Sequence, residues 1–235
     1  MMCFRSYPHK MRATLRQSQG FTLVEMAIVM VILGFLLAGL MMPLSSQRDL
    51  AKRKQAEQQL QEIHDALIGF AISQSPSRLP CAAIAGNGGL EDPVGGGNCG
   101  TYQGVVPART LGLNGNFDAA GDLLDPWNRV ILYNVTDVGG GVWTTDIQLN
   151  AALPDLEVCS DAACATPLAD TAVVTLISQG DDLTNSPAQQ ENTDGDARFV
   201  STTLSEGAGS EFDDIVLWLS PNAVTLQLVK SGRLD

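Results

Sequence analysis

A short junction, Gly20-Phe21-Thr22-Leu23-Val24-Glu25, separates a basic head from a long apolar run. Residues 21–44 contain one ionisable side chain, Glu25. As a helix they would be about 36 Å long, enough to cross a hydrocarbon core of about 30 Å. The pattern therefore predicts a transmembrane helix over residues 21–44. A cleaved secretory signal is disfavoured, because no small-residue cleavage site closes the apolar run.

The charge is unevenly distributed along the chain. The 235 residues include 14 Lys and Arg and 26 Asp and Glu, a net charge of −12, and 45% are hydrophobic. Residues 1–20 carry +4 and the remainder −16. A basic head on an acidic body is typical of a targeting segment. The hydrophobic content excludes a disordered tail, and the acidity argues against a nucleic-acid partner, so none is predicted.

The cysteines indicate the compartment. Four basic residues precede the apolar run and four follow it closely, so the positive-inside count is a tie. The body has an even set of cysteines, which favours disulfides in an oxidising compartment outside the cytoplasm. Because each pair closes a local loop, we favour Cys81–Cys99 and Cys159–Cys164. Other pairings, and a zinc site made of the four thiolates, remain alternatives.

Glu25 is the unusual residue of the apolar run. A lone carboxylate costs about 2.5–3.5 kcal/mol at mid-membrane and less near an end, and residues 21–44 contain no Lys, Arg or His. One interpretation places Glu25 at the headgroups. Alternatively, cleavage after Gly20 would give Phe21 an α-ammonium group one helical turn from Glu25. An acid near a helix N-terminus also suits the helix dipole.

The junction, with its basic leader and apolar helix, resembles the class III signal of type IV pilins and type II secretion pseudopilins. The resemblance implies cleavage between Gly20 and Phe21 by a prepilin peptidase, which would also N-methylate Phe21. It implies that Glu25 neutralises the terminal amine of a neighbouring subunit during assembly. The leader would be residues 1–20 if Met1 starts the chain, and shorter if Met11 does.

Helix-weakening residues also match this family. In its members they allow the helix to melt partly within a filament, and here they are Gly34, Gly39 and Pro43. Pro43 removes one backbone hydrogen bond, and each glycine costs about 1 kcal/mol relative to alanine. Small-residue packing in lipid is the other interpretation of the two glycines.

The rest of the chain predicts an α+β, pilin-like fold. Residues 45–74 form an amphipathic continuation of the helix whose apolar stripe is Ala56, Leu60, Ile63, Leu67 and Phe70. This helix should pack on a β-rich domain, residues 75–235, that begins with long Gly-rich loops. Strands of an antiparallel sheet are predicted over residues 129–135, 142–149, 172–178, 197–203 and 214–219. Ser220-Pro221 predicts a helix that ends near Gly232, although Val224 and Thr225 would suit a strand.

Two further segments resemble pseudopilin elements. Asp125-Pro126-Trp127-Asn128-Arg129, followed by Tyr133, is similar to the Asp-Pro-Trp-Gly-Asn…Tyr turn of major pseudopilins, with Asn128 in place of Gly. Ser178-Gln179-Gly180-Asp181-Asp182 and Phe212-Asp213-Asp214-Ile215 resemble that family's calcium loop. The resemblance implies calcium ligands from Asp181, Asp182, Asp213 and Asp214, with Asp194 and Asp196 available if the loop folds back. A solvated acidic loop is the alternative.

The sequence gives little support for catalysis. His64 is the one histidine after the leader, and no hydrolase, zinc-protease or phosphate-loop motif occurs. We therefore expect a non-enzymatic filament subunit, of a type IV pilus or of a type II secretion pseudopilus. The second hypothesis is an unprocessed, single-pass anchored domain that binds a ligand or cation, and the third is an anchored hydrolase. Expected partners are the prepilin peptidase, other copies and pilin-like subunits, and an inner-membrane assembly platform. The protein should be anchored in the inner membrane, with its C-terminal domain in the periplasm and its filament there or at the cell surface.

Overall fold

The computed structural model describes residues 20–148, 151–182, 186–207 and 209–234, without the side chains of residues 38–46. The predicted leader up to residue 19 therefore lies outside the described residues, as do the side chains of residues 38–44 in the predicted span, Pro43 included. The chain divides into two compact units, Met1–Gln47 and Arg48–Asp235.

Five helices and nine strands form the described part of the chain. In chain order they are α1 (Leu23–Ser73), β1 (Gln103–Val105), α2 (Ala108–Leu111), β2 (Asn116–Phe117), β3 (Leu123–Leu124), β4 (Leu132–Val135), α3 (Val138–Thr145), β5 (Leu156–Cys159), β6 (Pro167–Ala172), β7 (Val174–Ser178), α4 (Pro187–Glu191), β8 (Arg198–Val200), β9 (Ile215–Leu219) and α5 (Pro221–Lys230).

The first unit contains the beginning of α1. Its side chains from Phe21 to Leu37 are exposed, and Phe21 and Leu23 keep 78% and 87% of their surface accessible. No helix within the described residues combines the length and apolarity needed to cross a bilayer.

In the second unit, α1 buries one stripe of side chains in the main core. The buried members are Ala56, Leu60, Ile63, Leu67 and Ala71. The amphipathic prediction is thus confirmed, except that Ala71 takes the position expected for Phe70. Phe70 is half-buried instead, with the guanidinium carbon of Arg78 5.0 Å from its ring centroid.

An antiparallel four-stranded sheet, in the order β1-β4-β7-β9, packs on this stripe. Side chains alternate between its faces, so Leu176 joins the α1 core while Ile177 joins a second core. The second core lies against a three-stranded sheet, in the order β6-β5-β8, in which β5 and β8 are parallel. Because both faces of β7 are covered, all five of its residues are buried. The predicted antiparallel sheet is therefore present, and further strands accompany it.

The strand predicted over residues 142–149 is absent from residues 142–148, the part of it that the structure describes. The structure has α3 over Val138–Thr145 instead, and Gly139, Gly140 and Gly141 within it all have φ between 66° and 75°. Successive left-handed residues coil the chain tightly, which an extended strand does not allow. This coil buries Trp143, whose Nε1 donates a hydrogen bond to the carbonyl of Ala152 at 2.9 Å.

The loop after α1 is fixed by a buried ion pair. Arg78 Nη1 and Nη2 donate to Glu91 Oε2 and Oε1 at 2.8 and 2.9 Å, a bidentate arrangement. The backbone N–H of Cys81 also donates to Glu91 Oε2, at 3.1 Å. A disulfide joins Cys81 to Cys99 in the same loop. This Gly-rich region is thus held to the domain by both charge and covalent contacts.

At its C-terminal end the described chain forms α5. Ser220 is its N-cap, and Ser220 Oγ accepts a hydrogen bond from the N–H of Ala223 at 3.3 Å. Pro221 occupies the first turn, which suits its missing N–H. The helical prediction for this segment is confirmed, and the strand alternative is wrong.

Candidate functional site

The start of α1 is organised by Thr22 and Glu25. Thr22 Oγ1 accepts a hydrogen bond from the N–H of Glu25 at 3.2 Å, and Glu25 Oε2 accepts from the N–H and the hydroxyl of Thr22, both at 3.0 Å. This reciprocal pattern is a capping box, which satisfies two N–H groups at a helix start. Its sequence signal, Thr-x-x-Glu before an apolar run, is present at residues 22–25, although the capping box was not predicted.

The capping box supplies the partner that Glu25 lacks within the apolar run. In the single chain its carboxylate accepts hydrogen bonds from Thr22 instead of facing a cation. The side chains around it, from Phe21 to Leu37, are exposed and largely apolar. An uncovered apolar helix with one carboxylate at its start is suited to association with other apolar helices, and a positive group near its N-terminus would complement Glu25.

The turn at residues 125–129 is built around the buried Asp125. Asp125 Oδ1 accepts from the N–H groups of Trp127 and Arg129 at 2.8 and 3.0 Å, and Oδ2 accepts from Ser178 Oγ on β7 at 2.6 Å. Asn128 has φ 64°. Asparagine tolerates this left-handed conformation better than most residues, so it can occupy the position of the glycine in the pseudopilin turn.

Three of the predicted calcium ligands lie close together. Asp213 Oδ2 accepts from the N–H groups of Asp181 and Asp182 at 2.6 and 3.0 Å. Gln189 Nε2 donates to Asp213 Oδ1 at 2.9 Å and to Asp182 Oδ1 at 3.2 Å. Asp214 follows on the same segment. The side chain of Asp181 is exposed, and its carbonyl accepts from Arg129 Nη2.

Asp214 is buried, with 4% of its surface exposed. Asn192 Nδ2 donates to Asp214 Oδ2 at 2.7 Å, and Asn192 Oδ1 accepts from the N–H of Val200 at 2.7 Å. Burial raises the pKa of Asp214 to about 6, and the charges of Asp213 and Asp182 add to this rise. Burial also raises the pKa of Asp213.

The predicted additional ligands Asp194 and Asp196 form a separate acidic group with Glu191. Their carboxylate oxygens lie within 4.8 Å of one another. Burial raises the pKa of Glu191, and the charges of Asp196 and Asp194 raise it further. The oxygens of Asp213 and Asp214 described above already accept amide hydrogen bonds, which a cation would have to displace. Calcium binding stays a prediction.

Asp214 makes the stability of the domain depend on pH. An unfolded aspartate titrates near pH 3.9, so the folded state binds the proton more tightly and the free energy of unfolding should rise as pH falls from about 6 to about 4. Replacing Asp214 by Asn should therefore stabilise the protein by about 1–2 kcal/mol at pH 7.5, and have almost no effect near pH 4. Urea unfolding of the purified protein at both pH values measures this.

The exposed Asp170 provides the control for this measurement. Asp170→Asn should leave the free energy of unfolding within about 0.5 kcal/mol at either pH. If Asp214→Asn had the same effect at both pH values, the raised pKa of Asp214 would be refuted.

The body cysteines are joined as Cys81–Cys99 and Cys159–Cys164, the two pairs that the sequence analysis favours. Cysteines in disulfides supply no thiolates, so the structure gives no support to the zinc alternative. His64 lies on α1 and contacts Asp65, with 3.1 Å between His64 Nδ1 and Asp65 Oδ1.

Comparison with known proteins agrees with the geometry at the start of α1. Residues 15–41 match the family model of the prokaryotic N-terminal methylation motif. The chain thus carries the prepilin-type signal of type IV pilins and pseudopilins, which supports a pilin-like or pseudopilin protein. This signal marks structural proteins that are generally not enzymes, and it implies processing by a prepilin peptidase, membrane anchoring and export. No curated protein and no solved structure matches the chain.

Proposed function

We propose that this protein is a structural subunit of a type IV pilus-like filament. It is cleaved after Gly20, N-methylated at Phe21 and assembled through its N-terminal helix. The observation that carries the proposal is the match to the methylation motif over residues 15–41, which contains the cleavage junction and Glu25. Glu25 is the fifth residue of the processed chain, so it would lie one helical turn from the new terminal amine.

The surface of the helix supports this assignment. The exposed apolar side chains from Phe21 onward would be covered by helices of neighbouring copies, which removes them from water or lipid. The partners would be the prepilin peptidase, other copies and pilin-like subunits, and an inner-membrane assembly platform. Two disulfides suit a domain in the oxidising periplasm, anchored by a single pass through the inner membrane.

Mass spectrometry of protein from cells that express the peptidase tests the processing. We expect an N-terminal peptide that begins at Phe21 and carries one methyl group on its amine. The control is the same chain from cells without the peptidase, which should retain residues 1–20. An intact leader in peptidase-containing cells would contradict the proposal and favour an unprocessed anchored domain.

A pseudopilin of a type II secretion system is the second candidate. The observation that favours it is the turn at residues 125–129, which resembles the pseudopilin turn in sequence and in which Asn128, at the position of the glycine, has a left-handed φ of 64°. Deletion of the gene separates the two roles. Loss of surface filaments with normal export of secreted enzymes supports a pilus subunit, whereas loss of export supports a pseudopilin.

We also propose that calcium binds near Asp182, Asp213 and Asp214. Burial raises the pKa of Asp213 and Asp214, and the charges of the neighbouring carboxylates raise both further. A divalent cation would relieve the repulsion between these carboxylates. Added calcium should therefore raise the thermal midpoint of the purified protein, and a chelator should reverse the rise. Magnesium provides the comparison, because it demands near-ideal octahedral coordination whereas calcium accepts irregular sets of oxygen ligands. An unchanged midpoint would contradict calcium binding.

A further inference from the structure

A basic segment follows the apolar run. The segment from Arg48 to Lys54, here called the collar, contains Arg48, Lys52, Arg53 and Lys54 with a single acid, Asp49. Residues 55–235 contain 24 acidic and six basic side chains, a net charge of −18. The collar is therefore a positive patch next to a strongly negative domain, and it is complementary in charge to that domain in another copy.

Two collar cations are engaged within their own chain. Arg53 Nη1 donates to the carbonyl of Asp213 at 3.2 Å, and Arg53 Nε lies 3.8 Å from Glu57 Oε1. Lys52 Nζ lies 6.0 Å from the ring centroid of Trp127. Arg48 and Lys54 are exposed, and neither makes an ion pair with any residue that the structure describes.

A cleft beside the same helix is lined largely by polar and acidic side chains, in contrast to the positively charged collar. It has a volume of about 240 Å³ and lies between α1 and the loops at residues 114–116 and 124–126. Gln55, Gln58, Asn114 and Asn116 line it with amide groups, and Glu62 contributes an exposed carboxylate. None of its described lining residues is basic. A cleft with amide oxygens and one available carboxylate suits a long cationic side chain.

We propose that Lys54 of one copy inserts into this cleft and pairs with Glu62 of the next copy. The inference rests on the proposed filament function. Lys54 and Glu62 are eight residues apart, so two parallel copies of α1 shifted by about 12 Å would bring them to the same level. The contact would fix the axial offset between neighbouring subunits.

Charge exchange tests the pairing in cells that assemble the protein. Lys54→Glu and Glu62→Lys should each lower filament incorporation about tenfold, because each places like charges together. The double variant Lys54→Glu with Glu62→Lys should restore most of the incorporation. The matched control is Lys230→Glu, an exposed lysine at the end of α5, which should incorporate normally. Single variants that incorporate normally, or a double variant without recovery, would overturn the inference.

A cysteine experiment locates the contact directly. Filaments that contain Lys54→Cys together with Glu62→Cys in one chain should form a ladder of multimers with a bifunctional thiol-specific crosslinker long enough to replace the two side chains, whereas either single variant should not form the ladder. Filaments of the double cysteine variant with a mature Phe21 terminus but no such ladder would refute the pairing and leave the proposed function intact. An unprocessed wild-type chain without filaments would instead refute the proposed function.

The same variants separate the pairing from membrane binding. Vesicles of phosphatidylglycerol and phosphatidylethanolamine provide the probe for anionic headgroups. If Lys54→Glu weakens vesicle binding of the full chain and the double variant with Glu62→Lys does not recover incorporation, the collar binds lipid and the inference is overturned. Recovery in the double variant, with unchanged vesicle binding, supports the contact between copies.

Discussion

Cells that express a Glu25→Leu chain should assemble no detectable filament from it, although the chain should still reach the membrane. The substitution removes the negative charge of the exposed apolar helix start, so a neighbour's terminal amine would enter an apolar contact without a counter-ion. It lengthens the apolar run, so membrane insertion should not suffer. Immunoblots of sheared filaments and of membrane fractions measure the two outcomes separately.

The capping box makes a sharper control possible. Gln at the third helical position still completes a capping box, so Glu25→Gln keeps the local hydrogen bonds and removes only the charge. Thr22→Ala keeps the charge and removes the cap, at a cost of about 1 kcal/mol. We expect Glu25→Gln to fail in assembly and Thr22→Ala to assemble. The reverse result would mean that Glu25 acts only as a helix cap.

Removal of the Glu91 side chain should produce the largest loss of stability. Glu91→Ala would leave the Arg78 guanidinium buried without its counter-ion, and loss of one partner of a buried pair costs about 3–5 kcal/mol. The N–H of Cys81 would lose its acceptor as well. Urea unfolding of the purified protein should show a correspondingly lower midpoint with an unchanged slope.

A double variant shows whether the lone charge is the cause. Arg78→Met with Glu91→Gln removes both charges and retains an acceptor for Cys81, so it should unfold within about 2 kcal/mol of the wild type. Arg109 is an exposed arginine, and Arg109→Ala should change the free energy of unfolding by less than about 0.5 kcal/mol. A double variant as unstable as Glu91→Ala would contradict the role given to the unpaired guanidinium.

Patterns of local origin were predictable from the sequence. The stripe from Ala56 to Leu67 repeats at helical spacing, and Ser220-Pro221 carries its own capping signal, so both needed no knowledge of the rest of the chain. The strand predicted over residues 214–219 is close to the observed β9, and the side chains of this strand alternate between the two hydrophobic cores. The signal at Gly20, Phe21 and Glu25 is equally local, since its residues are consecutive or one turn apart.

Features that depend on distant partners were not predictable. Arg78 and Glu91 are 13 residues apart in a region without periodicity, so nothing in the sequence pairs them. The apolar residues at 142–149 suggested a strand. The structure differs because Gly139–Gly141 adopt left-handed φ values, and the resulting coil buries Trp143, which the sequence pattern does not reveal. Asp214 lies beside Asn192, 22 positions away, and only the fold reveals the burial that raises its pKa.

The hydrogen bonds between Thr22 and Glu25 have a thermodynamic consequence for the proposed association of copies. The carboxylate already has donors before a second chain arrives, so docking exchanges one set of contacts for another and does not rescue an unsatisfied charge. The net free energy of each contact between copies is the difference between two hydrogen-bonded arrangements, so it is smaller than the attraction between the two charges alone. In the proposed filament, cohesion would then come from many weak apolar contacts along the exposed helix, and the charge of Glu25 would set the alignment of neighbouring copies more than the strength of their attachment.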